Sequence, residues 1–259
     1  MSSTEGAGGG ATAVLVHGGT LTSTMWDAVR GHLATPSIAV DLPGRRYKPA
    51  DLAEVTVDDW VASVCDDIAG AGLDEVVLVA HSSGGYVLPG VAARLTGGRP
   101  GGPRATLRAL VFVAATVPAD GRSPAEYLRE DIRTLALETR DAMVERARGC
   151  TIGGLRPGEP AIETELEVVE NGPRMGVEAP RPLFEPVSWV GFPAAVPRTY
   201  VRGLRDKVIP PELAGQMIAD MGGATVVDFD AGHRSYETHA AELAAIIDQC
   251  CAGRVSTTP

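Results

Sequence analysis

The feature that most constrains this chain is a series of short, nearly continuous apolar runs. They are "AVLV" at 13–16, "SIAV" at 37–40, "EVVLVA" at 75–80, "LRALVFVA" at 107–114, "RTYVRG" at 198–203 and "TVVDF" at 225–229. A strand with one face in water alternates apolar and polar residues. A run without strict alternation belongs to a strand covered on both faces, as in a parallel sheet. Helical spacing appears between the runs. Trp26, Val29 and Leu33 share one helical face, as do Trp60, Val61, Val64 and Ile68, and Thr56 with Asp59 has the spacing of a capping box. Near the end, Leu243, Ile246, Ile247 and Cys250 form another apolar stripe. Strand alternating with helix implies right-handed crossovers and an α/β architecture: a six-stranded, mainly parallel sheet with helices on both faces. A length of 259 residues, 44% of them hydrophobic, is enough for one such core.

One interval breaks the rhythm. Residues 118–196 are too many for a simple loop in a compact domain. They are expected to form a cap (lid) insertion over one end of the sheet, dividing the core into 11–117 and 197–253 and following a disordered tail at 1–10. A helix is expected over roughly Pro124 to Arg148, and a hairpin is possible around Asn171-Gly172, weakened by Pro173. The acidic run Glu163, Glu165, Glu167 and Glu170 reads as a solvated face rather than a metal site.

Ligands of open parallel sheets bind beyond the carboxyl ends of the strands, so the residues just after each run carry the chemistry. After the first run comes "HGGT", whose glycines can turn tightly and expose amide N–H groups to an oxyanion. After the third comes "AHSSGG". A nucleophile on a strained strand-to-helix turn needs small residues two positions to either side of it. Ala80 and Gly84 meet that need around Ser82. Centring the turn on Ser83 would put His81 at a position where its ring clashes, so Ser83 is better placed to lend a backbone N–H. After the fifth run, "GLRDKVIP" places Asp206 where it can receive a histidine Nδ1–H. After the sixth, "DAGHRSYETH" places His233 in a loop. Ser82, Asp206 and His233 thus arrive separately at strand ends, in an order known for a catalytic triad.

Other polar residues have plainer readings. His17 supports the glycine turn, His81 packs behind the serine turn, His32 lies on the surface, and Asp41 forms a turn. His239 competes with His233 but starts a helical pattern farther from the strand end.

Taken together, "VLVHGG", "DLPG", "AHSSGG", "RDKVIP" and "AGH" resemble the α/β-hydrolase superfamily. Within it they resemble the compact group of methyl-ester esterases, hydroxynitrile lyases and bacterial relatives, and "RPLFEPVSW" at 181–189 resembles the end of the cap in bacterial members. The short lead-in before the first strand fits that group's six-stranded core. The resemblance implies that Ser82 attacks a carbonyl carbon, His233 shuttles its proton, Asp206 holds the imidazole, and the N–H groups of Gly19 and Ser83 form the oxyanion hole. It implies no cofactor and no metal. Hydroxynitrile lyases of this group often carry threonine at the place of Gly18, so glycine there favours hydrolysis; Thr20 is not an equivalent match.

The functional expectation is a serine hydrolase for a small or medium, mostly apolar ester, lactone or thioester. Two alternatives stand beside it: a lyase, C–C hydrolase or cyclase acting on a natural-product intermediate with the same triad, or a ligand receptor that has lost catalysis. Thr20, Trp26, Tyr127, Phe184 and Trp189 are candidate pocket walls, each as well suited to a core. A formal charge of −10 disfavours nucleic acid or an anionic membrane as partner. Four cysteines, two of them adjacent, fit neither a zinc site nor a disulfide framework and suit a reducing, cytoplasmic setting. The N-terminus lacks the pattern of a signal peptide, and no apolar run reaches the ~20 residues that span a bilayer. Monomer and homodimer are both compatible with the sequence.

Overall fold

The computed structural model describes residues 10–97, 105–152 and 178–254. Six strands, β1 (Thr12–Val16), β2 (Ser37–Val40), β3 (Glu75–His81), β4 (Thr106–Val113), β5 (Arg198–Gly203) and β6 (Thr225–Phe229), form one sheet in the order β2-β1-β3-β4-β5-β6. Every pairing is parallel. All six lie within a residue or so of the apolar runs read from the sequence, because aliphatic strands buried on both faces leave little choice of register.

The pleat divides each strand's side chains between two cores. Val14, Val16, Leu78, Ala80, Leu110 and Phe112 face one, together with α2 (Val57–Gly70), α3 (Leu88–Thr96) and α7 (Pro211–Asp220). Ala13, Leu15, Val77, Val79, Val111 and Val113 face the other, against α1 (Asp27–Arg30), α8 (Ser235–Thr238) and α9 (Ala240–Cys251). The expected stripes account for this packing: Trp60, Val61, Val64 and Ile68 are buried on α2, and Leu243, Ile247 and Cys250 on α9. The capping box at the start of α2 is formed, with Asp59 N–H donating to Thr56 Oγ1 at 3.1 Å and Thr56 N–H donating to Asp59 Oδ2 at 2.9 Å.

The interval between β4 and β5 departs from expectation. The single helix expected over Pro124–Arg148 is three pieces: a 3-10 turn at Pro124–Tyr127, α4 (Glu130–Glu138) and α5 (Arg140–Ala147). The first break comes where Leu128 and Arg129 turn extended, with ψ of 151° and 146°. The second comes at Thr139, whose φ of −100° and ψ of 5° leave the helical range while its hydroxyl joins its own N–H on the Leu135 carbonyl, at 2.7 and 3.0 Å. A short turn of helix, α6 (Arg181–Phe184), follows before β5. The expected hairpin near Asn171-Gly172, the acidic run Glu163–Glu170 and most of the N-terminal tail lie outside the described residues.

The ends of this excursion are tied to the core by directed bonds. Tyr127 Oη donates to Asp220 Oδ2 at 2.7 Å and accepts from the Ala119 N–H at 3.0 Å. Trp189 Nε1 donates to the Pro118 carbonyl at 2.9 Å, and the Val57 N–H donates to Glu185 Oε2 at 3.2 Å. All four cysteines are free and buried; burial raises the thiols of Cys65 and Cys250 to about 11 and that of Cys251 to about 12, which leaves them inert. Among the described residues no helix is long and apolar enough to cross a membrane.

Candidate active site

Ser82 directly follows β3 and begins a 3-10 turn, Ser82–Tyr86, that leads to α3. Its φ is +50°, a region that a residue with a side chain rarely occupies. Neighbouring glycines make the turn possible. A Cβ on Gly84 would stand 2.6 Å from the His17 carbonyl oxygen, and one on Gly85 2.4 Å from that of Thr116. Any side chain at either position would push the turn off the ends of β1 and β4. The Thr116 N–H holds the Ser82 carbonyl at 3.0 Å.

Two loops meet the serine. Asp206 follows β5 with its side chain buried, and its Oδ1 accepts the N–H groups of Val208 at 2.8 Å and Ile209 at 2.9 Å. Its Oδ2 lies 2.8 Å from His233 Nδ1. A carboxylate only accepts, so Nδ1 carries the proton; Nε2 of the neutral ring is then an acceptor, 3.0 Å from Ser82 Oγ. The imidazole remains about one-fifth exposed, so the assembly opens to solvent on one side. The structure therefore brings Ser82, Asp206 and His233 into one hydrogen-bonded line.

A second histidine backs this line. His81 is buried, its ring centroid 4.7 Å from that of His233 and 4.8 Å from that of Tyr236. Its Nε2–H donates to the His233 carbonyl at 3.0 Å, which fixes the loop carrying His233. Burial, with His233 nearby, lowers its pKa to about 3, so it stays neutral. Its ring also explains Gly18: a Cβ there would sit 2.7 Å from His81 Nδ1. His17 lies under the glycine turn. It donates Nδ1–H to the Gly18 carbonyl at 2.7 Å and accepts the Leu42 N–H on Nε2 at 3.0 Å. Both ring nitrogens are used in the neutral form, and burial lowers its pKa to about 4. Gly19 and Ser83 are adjacent, since a Cβ on Gly19 would lie 3.1 Å from Ser83 Oγ.

The remaining candidates scatter. His239 stacks on Phe229 at 5.1 Å, and His32 is exposed. Asp41 is buried and accepts the Ser23 N–H at 2.7 Å, so it holds the turn after β1 as well as its own. Trp26 does not line a pocket: it is fully buried in the α1–α9 core, against Tyr236, because its helical face turns toward the sheet. Tyr127 is likewise buried, its hydroxyl committed to Asp220 and Ala119. Phe184 is half-buried under the Arg140 guanidinium, and Trp189 packs on Phe192. Thr20 is exposed beside Gly19 with a φ of +60°.

Sequence reasoning missed Glu178 and Arg45. Glu178 Oε2 accepts the Thr20 N–H at 2.5 Å, while Oε1 pairs with the guanidinium of Arg45, which is only 3% exposed. Among the fourteen Glu and Asp residues of 118–196, no local pattern marks Glu178 as different.

A family model described as the alpha/beta hydrolase family matches residues 13–246. An uncharacterised protein of Mycobacterium tuberculosis H37Rv is 26% identical over 265 residues, spanning 94% of this chain and 76% of that protein. Among solved structures, an extracellular alpha/beta-hydrolase from a Paenibacillus species, described as sharing structural and functional homology with tobacco salicylic acid binding protein 2, superposes with a TM-score of 0.73 at 21% identity over 93% of this chain and 98% of that one. A pyrethroid hydrolase from Sphingobium faniae JZ-2 gives 0.64 at 22% identity, over 93% and 98%. At these identities the superpositions speak to the fold.

Proposed function

This chain belongs to the alpha/beta hydrolase family, and on that premise we propose that it is a serine hydrolase of carboxylic esters, with lactones and thioesters as related substrates. The observation that carries the reading is the line from Asp206 through His233 to Ser82, with Ser82 held at positive φ. His233 Nε2 takes the Ser82 proton as Oγ attacks the substrate carbonyl. The Gly19 and Ser83 N–H groups receive the oxyanion, a contribution worth about 10²–10³ in turnover per donor. Protonated His233, stabilised by Asp206, then gives its proton to the departing alcohol, leaving an acyl-enzyme on Ser82. A water deprotonated by His233 attacks the acyl carbonyl and releases the acid, returning the proton to Ser82. Hydrolytic chemistry is in keeping with the family to which the chain belongs and with the pyrethroid hydrolase that shares its fold.

Hydrolysis is favoured over lyase chemistry by glycine at position 18, where hydroxynitrile lyases of the resembling group often carry threonine; a Cβ there would stand 2.7 Å from His81 Nδ1. The test is turnover of a panel of short- and medium-chain esters by the wild type and by Ser82→Ala. The expected result is a loss of at least about 10³-fold, with one oxygen from labelled water in each acid product. Undiminished turnover in Ser82→Ala overturns the reading, as does product that contains no solvent oxygen.

A further inference from the structure

The turn after β1 is held from outside the sheet. Glu178, near the end of the β4–β5 excursion, reaches the Thr20 N–H with one carboxylate oxygen at 2.5 Å and Arg45 with the other. Arg45 follows the turn after β2 and is buried; its Nη1 also donates to the Gly44 carbonyl at 3.0 Å. The Glu178 carboxylate also borders Gly19: a Cβ on Gly19 would come 3.3 Å from Oε2 and 3.1 Å from Ser83 Oγ. His17, Gly18, Gly19, Arg45, Ser83 and Glu178 surround one narrow slot.

We propose that Glu178 is a positioning residue for the oxyanion hole, clamping the Gly19–Thr20 peptide through the Thr20 N–H, and that Arg45 neutralises its carboxylate. This rests on the hydrolase reading above. Thr20 has a left-handed φ of +60°, a conformation a threonine keeps only when neighbours hold it. The peptide preceding Thr20 contains the Gly19 carbonyl and adjoins the peptide whose N–H is to meet the oxyanion, so fixing one limits rotation of the other. The charge arrangement makes a second demand. A carboxylate this near a developing oxyanion opposes it, and the buried guanidinium of Arg45 supplies the cancelling charge. Arg45 thus acts on the reaction through Glu178 rather than by touching substrate.

Four variants and three readouts test this. Turnover of the best ester is measured together with the rate at which a fluorophosphonate labels Ser82, and amide exchange is followed at Thr20. In Glu178→Ala, kcat and labelling rate are expected to fall about 10- to 100-fold, KM to change little, and Thr20 to lose its exchange protection. Glu178→Gln keeps an acceptor for Thr20 and is expected to restore most of the protection and much of the rate. Arg45→Gln leaves the carboxylate uncompensated and is expected to lower kcat at least about tenfold, with partial recovery in the double variant Arg45→Gln/Glu178→Gln. Unchanged kcat and labelling in Glu178→Ala overturn the inference while leaving the hydrolase reading intact. So does a change confined to KM, which marks a substrate contact, or Thr20 protection that survives the substitution. A wild type that neither turns over esters nor labels at Ser82 overturns the hydrolase reading, and this inference with it.

Discussion

At the carboxyl ends of β3, β5 and β6, Ser82, Asp206 and His233 leave the sheet within a few residues of a strand. In the excursion between β4 and β5, Tyr127, Trp189 and Glu178 find their partners across 93, 71 and 158 residues of chain. The first region is placed by the backbone: parallel register brings the strand ends side by side, and glycines let the connecting turns close on them. The second is placed by burial of a few residues such as Tyr127, Ala147 and Val187 against one core, by backbone bonds such as Leu52 N–H to the Cys150 carbonyl, and by these individual side-chain bonds. Each such bond is worth about 1 kcal/mol net, whereas the sheet is secured by two hydrophobic cores. Changes at strand ends should therefore alter chemistry while sparing the fold. Changes in the excursion should alter stability and alignment.

Asp206→Asn is the sharpest way to separate the two. The asparagine oxygen can still accept from Val208 and Ile209, but its amide nitrogen would face His233 Nδ1 and force the wrong tautomer. Turnover is expected to drop by about 10⁴ with the melting temperature within a few degrees of wild type. A large loss of stability with modest loss of turnover would place Asp206 with the structural residues instead.

Acid should strike the fold beneath the site. His17 and His81 titrate near 4 and 3 when folded, below their ordinary value of 6.5. Between those values and 6.5 the unfolded chain binds more protons, so stability is complete above about pH 6.5 and is lost as pH falls through that window. Each histidine contributes up to about 1.4 kcal/mol per pH unit there. Urea unfolding at pH 7 and pH 5 should show this slope, and His81→Gln should flatten it. An equal slope in the variant would move the acid sensitivity elsewhere.

Tyr127→Phe removes the acceptor of the Ala119 N–H and the donor to Asp220, for an expected cost of about 1–3 kcal/mol by chemical denaturation. Hydrogen exchange should rise in residues 118–128 and leave β3 and β4 protected. Thr56→Ala removes the cap of α2, which is expected to cost about 1 kcal/mol and leave turnover unaltered. If Thr56→Ala slowed the reaction more than Tyr127→Phe did, the division between the two regions would not hold.

The same division governs what could be read from sequence. The six strands are legible because burial on both faces demands unbroken aliphatic runs, and Ser82, Asp206 and His233 are legible because each stands just beyond one of those runs. The separation of Ser82 from Ser83 follows from sterics alone, since the turn excludes bulk where His81 would otherwise fall. Trp26 illustrates the limit: an aromatic on a helix near a strand end can face a pocket or a core, and the helix phase that decides lies below the precision of a three-residue stripe. The break at Thr139 was hidden because helix spacing persists on both sides of it. Arg45 and Glu178 were hidden because a bond across 133 residues leaves no periodic trace.

The central claim is that Ser82, rather than Ser83, is the activated nucleophile. Its most direct test is fluorophosphonate labelling of the full chain, followed by peptide mapping of the adduct. One phosphonyl group is expected on Ser82 in the wild type, still present in Ser83→Ala and absent in Ser82→Ala. An adduct on Ser83, or labelling that persists in Ser82→Ala, would contradict the account.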